Sequence, residues 1–332
     1  MTIQEIKAES LAIKNAIESS NSVLVLGHQY PDGDAIGSIL GLGIMLREKR
    51  KKVICSWPEP FEVPEKYSFL PGMDLLVKPS NVTSEELVFA LDCANPERLE
   101  EVSGKVLDAP VLVNIDHHPD NTFFGKINVV SPNLSATAEI IYLLAPEIGL
   151  SVSREAAICL YTGIVTDTGR FQFGNTTERT LRIASEMVRM GVEPKYVYEN
   201  VYQSESLNYI HLTGEVMENS VYIEEQELIY GVLTQKALKK WNVRMGETED
   251  LIDNLRTLKG HRIAVLFKEI SDGRIRVSLR SNFSFDIGRI ARKLGGGGHK
   301  AAAGYTSEKR SVEEALEELL KEIREIGRNN HH

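Results

Sequence analysis

Four short segments in the first half of the chain set aspartate among histidines or small residues: His28-Gln29-Tyr30-Pro31-Asp32-Gly33-Asp34, Asp92-Cys93-Ala94, Asp116-His117-His118 and Thr166-Asp167-Thr168-Gly169. Each comes after a short apolar run. Open α/β folds place their ligands at the carboxyl edge of a parallel sheet, so strands ending in such residues would gather them at one place. Carboxylates mixed with imidazoles, with no cysteine at a ligand position, suit a pair of hard or borderline divalent ions better than a structural zinc. Two such ions can carry out phosphate-ester hydrolysis.

Each segment also has a plainer reading. An Asp-rich turn can cap a helix, which Asp34 could do by itself, and Asp92 and Asp167 could each cap the next element of the chain. His117 and His118 fit that reading least, because two imidazoles beside a carboxylate directly after an apolar strand are rarely a core feature. Asp116 is placed to accept a hydrogen bond from a histidine and fix its tautomer. A second group lies near the other end of the chain: Arg280 and Ser281, then Gly295-Gly296-Gly297-Gly298-His299-Lys300. A glycine run can be a linker or a helix C-cap. Next to a histidine, a lysine and an arginine able to clamp a phosphate, it can instead let backbone amides approach a phosphate or nucleobase.

The elements that must position these residues emerge from periodicity. Residues 3–20 have helical spacing, 22–27 read as a strand, and 35–49 as a helix beginning with small residues. Val53–Trp57, Leu87–Asp92 and Val111–Ile115 read as further strands, the last two ending on Asp92 and Asp116. Residues 135–147 and 153–166 read as helices, with Asp167 after the second. Strands alternating with helices in this way predict a parallel sheet. From 177 to 219 the pattern is helical, broken at Gly191 and Pro194. Beyond it, Val221–Ile223, Leu228–Thr234, Ile263–Glu269 and Arg274–Leu279 alternate as half-buried strands, with Ser271-Asp272-Gly273 as a hairpin turn. Helices at 286–294 and 311–326 complete a second α/β domain. Trp57, Trp241 and Tyr196, Tyr198 and Tyr202 read as packing residues.

At 332 residues the chain exceeds one ordinary core, so two domains are expected. A net charge of −9 argues against tracking along long nucleic acid. The charge is uneven: residues 274–300 carry a net +6, leaving −15 elsewhere, which suits a small anionic ligand meeting one basic patch. No apolar stretch approaches bilayer-spanning length, and the beginning is unlike a signal peptide. Three cysteines without metal-like spacing (Cys55, Cys93 and Cys159) predict buried thiols in a reducing cytoplasm. The terminal His331-His332 is given no role.

Together these motifs resemble the DHH phosphoesterase superfamily, named for the triplet found here at 116–118. His28-x3-Asp32-x-Asp34, Asp92, Asp116-His117-His118 and Asp167 look like its four N-terminal motifs. Gly295–His299 looks like the glycine-rich signature of the DHH-associated C-terminal domain. The resemblance implies an N-terminal parallel-sheet domain over 1–190, a helical connector over 191–219 and a smaller substrate-binding domain over 220–332. Length and layout are similar to the nano-RNase and pAp-phosphatase branch, which also holds linear and cyclic dinucleotide phosphodiesterases. By that resemblance His28, Asp32 and Asp92 would hold one Mn²⁺. Asp34, Asp92, His117 and Asp167 would hold a second, with Mg²⁺ or Co²⁺ as substitutes. His118, supported by Asp116, would face the substrate, while Arg280, Ser281, Gly297, Gly298 and His299 would grip the far end of a short nucleotide. A homodimer is among the expected assemblies, and no membrane or long nucleic acid is an expected partner. A nucleotide sensor without turnover and an inorganic pyrophosphatase are the competing readings; the full ligand set disfavours the first and the glycine–histidine motif the second.

Overall fold

The computed structural model describes residues 3–282 and 285–329, so His331 and His332 lie outside the described residues. The chain divides into two units, residues 1–204 and 205–332. In the first unit the elements are α1 (Ile3–Ser19), β1 (Ser22–Leu26), α2 (Gly33–Glu48), β2 (Lys52–Ser56), β3 (Leu87–Leu91), α3 (Ser103–Leu107), β4 (Val111–Asp116), β5 (Ile127–Val130), α4 (Thr137–Leu144), α5 (Arg154–Asp167), α6 (Glu178–Arg189) and α7 (Pro194–Tyr202).

Five strands form an all-parallel sheet in the order β2-β1-β3-β4-β5. Residues alternate between its two faces, as strand geometry requires. Val23, Val25, Leu87, Phe89, Leu91, Val113 and Ile115 face the larger core with α2, α4 and α5. Leu24, Leu26, Val88, Ala90 and Leu112 face a smaller one that includes Val106 of α3. Both faces are covered, which explains why the strands read as continuous apolar runs. The order reverses between β1 and β3, so a crevice opens beyond their carboxyl ends. The α/β fold class read from the sequence is the observed one.

Helices α2 and α5 pack closely and in opposite directions. Gly33, Gly37 and Gly41 form one stripe along α2. A Cβ on Gly33 would strike Thr166, on Gly37 the Cys159 carbonyl oxygen and on Gly41 the Leu160 side chain. The beginning of α2 therefore lies against the end of α5, which brings Asp34 to Asp167. Gly37→Ala gains about 1 kcal/mol of helix propensity but must displace backbone, at a cost of about 1–3 kcal/mol. A lower urea midpoint is expected; an unchanged one would show that the helices separate freely.

The second unit contains α8 (Leu207–Glu218), β6 (Val221–Ile223), β7 (Leu228–Leu233), α9 (Gln235–Trp241), α10 (Ile252–Leu255), β8 (Ile263–Glu269), β9 (Ile275–Ser281), α11 (Ile287–Lys293), β10 (Gly297–Gly298), β11 (Ala302–Ser307) and α12 (Val312–Asn329). Its six strands run β10-β11-β9-β8-β7-β6, with only β7 and β8 parallel. Ile263, Val265, Phe267, Val277 and Leu279 pack against α11 and α12 on one face. Ala264 and Leu266 pack against α8, α9 and α10 on the other.

The helical stretch expected to join the domains divides at Ser204. Val197 and Val201 of α7 belong to the first core, whereas Tyr209, Leu212 and Val216 of α8 belong to the second unit. Tyr196 and Tyr198 are partly exposed, yet their rings pack against Phe69 and Tyr202 at 5.4 and 5.5 Å, while Trp57 is fully buried. All three cysteines are buried and free. Among the described residues no helix is long and apolar enough to cross a membrane.

Candidate metal centre

The carboxyl ends of β1, β3 and β4 deliver three of the four motifs to one edge of the sheet. After β1 the chain turns through His28, and Asp32 caps α2: its Oδ1 accepts the Asp34 and Ala35 amides, both at 3.0 Å. The capping anticipated for Asp34 is thus done by Asp32, because the turn ends two residues earlier. Asp34 is left to point inward and is buried. Asp92 comes directly after β3 in a left-handed conformation, φ 53°, which few residues other than glycine, asparagine and aspartate adopt readily. Asp116 ends β4, and its Oδ1 accepts both the His117 amide at 2.8 Å and His118 Nδ1 at 2.7 Å. Its Oδ2 accepts Asn121 Nδ2 at 2.7 Å.

These side chains converge. His28 Nε2 lies 3.5 Å from Asp92 Oδ2. His117 Nε2 lies 3.6 Å from Asp92 Oδ1, 3.8 Å from Asp34 Oδ2 and 3.5 Å from Asp167 Oδ2. Beside a group of Asp92, Asp116 and His118, two groups of donors drawn from different motifs result, His28 with Asp32 and Asp92, and Asp34 with His117 and Asp167, each within 4.8 Å. Asp92 faces both, one carboxylate oxygen toward His28 and the other toward His117.

The electrostatics fit a divalent cation. Burial pushes the Asp34 carboxyl well above its usual range, and the charges of Asp92, Asp167 and Asp32 push it further. Burial and the neighbouring charges of Asp32 and Asp92 raise Asp167 to about 7, against the pull of His117. Burial opposes the charge of Asp92 too, but the hydrogen bond of His28 and the imidazoles of His118, His117 and His28 hold it well below the usual range. His118 is raised to about 9: burial works against its charge, and the Asp116 carboxylate, with Asp92, outweighs it. The protein's own groups do not neutralise this crowd of carboxylates, and the oxygen and imidazole donors suit a divalent ion that would.

The groups holding the ligands carried a weaker signal. The first turn of α4 grips two of them: Asp34 accepts the Thr137 amide at 2.6 Å and the Ala138 amide at 2.9 Å, and Asp92 accepts the Thr137 hydroxyl at 2.9 Å. Ser135-Ala-Thr-Ala138 before an apolar helix is an ordinary helix start, and only tertiary structure shows that its free amides face another element's carboxylate. Asn114 and Asn121 link β4 to the Asp92 loop through the Cys93 carbonyl, at 3.1 and 3.2 Å. The polar Asn114 within an apolar strand was the available cue.

In the second unit the expected basic patch is divided and largely paired. Arg276 lies 3.6 Å from Glu249, Arg280 Nε 3.7 Å from Asp253, Arg274 2.8 Å from Asp272, and Lys293 2.5 Å from Glu322. Apart from Asp272, two residues before Arg274, the acids come from segments distant in sequence, and a tally over 274–300 includes none of them. Ser281 is buried, its hydroxyl 2.7 Å from the Phe285 carbonyl and 3.2 Å from that of Lys300. The glycine run is ordered: Gly295 (φ 80°) ends α11, with the Gly295 and Gly296 amides donating to Arg292 and Ala291 at 3.2 and 2.8 Å. Gly297 and Gly298 form β10, and His299 N donates to the Ala302 carbonyl at 2.7 Å. A Cβ on Gly298 would collide with Ala302 and Ala303, so packing alone requires glycine there.

Known proteins share this organisation. The profile of the DHH family N-terminal domain matches residues 22–164, and that of the DHHA1 domain matches 226–328. The chain is 33% identical, over 91% of its length and 89% of the other, to a bifunctional oligoribonuclease and PAP phosphatase, NrnA, of Thermus thermophilus. It is 34% identical to the Bacillus subtilis protein of the same description, over 86% of its length and 88% of the other. A crystal structure of an exopolyphosphatase-related protein from Bacteroides fragilis superimposes with a TM-score of 0.88 at 27% identity, covering 96% of both chains. With the family's two domains in order and relatives matched over most of their length, this chain belongs to the DHH family and carries a DHHA1 domain after the DHH domain.

Proposed function

We propose that the protein is a divalent-metal-dependent phosphoesterase, with manganese preferred, that hydrolyses very short nucleotides in the cytoplasm. The observation that carries this reading is Asp92, whose two carboxylate oxygens face two separate groups of oxygen and imidazole donors. Ions bound by those groups would offset charge on the attacked phosphate and ease deprotonation of the attacking water. His28, Asp32 and Asp92 would hold one ion, and Asp34, Asp92, His117 and Asp167 the other. Asp116 fixes His118 through Nδ1, so Nε2 is the ring atom to donate a hydrogen bond to the phosphate or a proton to the leaving group. Tautomer and ring orientation are thereby set by a carboxylate that itself stays out of the chemistry. Arg280 and His299 would bind the nucleotide, with Gly297 and Gly298 admitting close backbone approach and Ser281 holding the turn beside them.

The substrate class rests on the two NrnA relatives, described as oligoribonucleases and PAP phosphatases, and on a net charge of −9. Linear pApA, pAp, cyclic di-AMP, short RNA and pyrophosphate assayed side by side with Mn²⁺ test it. Linear dinucleotide and pAp should be cleaved, and exclusive cleavage of pyrophosphate would overturn the assignment. On the same panel Arg280→Ala and His299→Ala should raise KM for a dinucleotide more than tenfold, or about 1.4 kcal/mol, and leave a small activated phosphodiester nearly unaffected. Equal loss on both substrates would place these residues at the chemical centre or in folding instead.

A further inference from the structure

The first turn of α4 holds Asp34 and Asp92, yet nothing in that turn caps the helix. Its N-cap residue is Ala136, which has no capping side chain. The free amides of its first two residues, Thr137 and Ala138, go to Asp34 instead. The turn is tied down instead through a side chain of its own, that of Glu139, fully buried, which reaches out to neighbouring elements. Glu139 Oε2 accepts the Ser135 amide at 2.9 Å, the Ser135 hydroxyl, and Thr180 Oγ1 at 3.2 Å. Its Oε1 accepts Arg179 Nε at 2.7 Å, and Arg179 reaches the Asn133 carbonyl at 3.2 Å. Asn175 Nδ2 then donates to the carbonyls of Ser135 and of Asp167, both at 3.0 Å.

A buried carboxylate is costly unless fully paired, and an Arg–carboxylate pair in an interior often adds little net stability. Here the pairing joins the N-terminal turn of α4 to the start of α6 and to the ligand-bearing end of α5. We infer that Glu139, with Arg179 and Asn175, is a brace that positions the metal ligands: Asp34 and Asp92 through the α4 turn, and Asp167 through its own carbonyl. None of the three touches a ligand carboxylate. They act through the backbone that carries the ligands or binds them, the outer support on which metal affinity commonly depends.

The inference rests on the two-metal reading above, and calorimetric titration of Mn²⁺ into chelator-treated protein separates the two. Glu139→Gln keeps the shape and removes the charge paired with Arg179; Mn²⁺ affinity should fall about 10–100-fold. Asn175→Ala, at a half-buried position, should weaken binding severalfold, with KM for pApA at saturating Mn²⁺ unchanged. The thermal midpoint without metal should move less than the Mn²⁺-induced rise in midpoint, a difference that a purely structural role would not produce. If Glu139→Gln does not fold, Asn175→Ala decides. Variants that fold and bind Mn²⁺ within twofold of the parent overturn the brace alone. A parent protein that binds no Mn²⁺ overturns the brace and the two-metal reading together.

Discussion

Asp92→Ala should reduce hydrolysis of pApA by roughly 10³-fold or more at saturating Mn²⁺, since loss of mere outer support already costs 10–100-fold. The reason lies in its position at the switch point between β1 and β3, with Oδ2 toward His28 and Oδ1 toward His117. Removing it takes a donor from both groups at once, whereas removing Asp32 or Asp167 depletes one. Weak nucleotide binding through Arg280 and His299 should survive, and circular dichroism should confirm a folded chain. A variant turning over at near-parental rate would mean that the ions, if two bind, are not joined at this residue.

His118→Ala should lower kcat by about 10²–10⁴-fold, the range for loss of a positioned proton donor, while Mn²⁺ affinity stays close to that of the parent. Its Nδ1 is committed to Asp116 at 2.7 Å, so the part proposed for it is in the chemistry and not in holding the ions. Asp116→Asn should move kcat in the same direction, because an amide oxygen can accept from His118 Nδ1 but lacks the charge that favours the protonated imidazole. Loss of bound metal in His118→Ala, in step with loss of rate, would instead make His118 a ligand.

The candidate ligand residues were legible because they lie at or beside the ends of regular elements. Asp92 and Asp116 close apolar strands, and a parallel sheet gathers strand ends whatever the intervening sequence. The approach of Asp167 to Asp34 was less so. It depends on the stripe Gly33, Gly37 and Gly41 letting α5 come close, and a stripe is visible only when the partner helix is known. Thr137 was missed because its work is done on other elements' carboxylates. Strand β5 and the small-residue strand β11 were not read, the first because Ile127–Val130 is short, the second because Ala302-Ala303-Gly304 lacks β-branched side chains. In the second unit, counting charge along the chain misjudged the basic patch, since Glu249, Asp253 and Glu322 come from elsewhere to pair with it.

The most direct measurement tracks Mn²⁺ binding and pApA hydrolysis together on protein stripped of metal with chelator. Two ions should bind per chain, hydrolysis should be absent before the first addition, and the rate should rise only as the second site fills. Mn²⁺ should restore activity better than Ca²⁺, as imidazoles among the donors favour it. Full hydrolysis by the stripped protein, or full activity with a single bound ion, would contradict a centre built from two donor groups sharing Asp92.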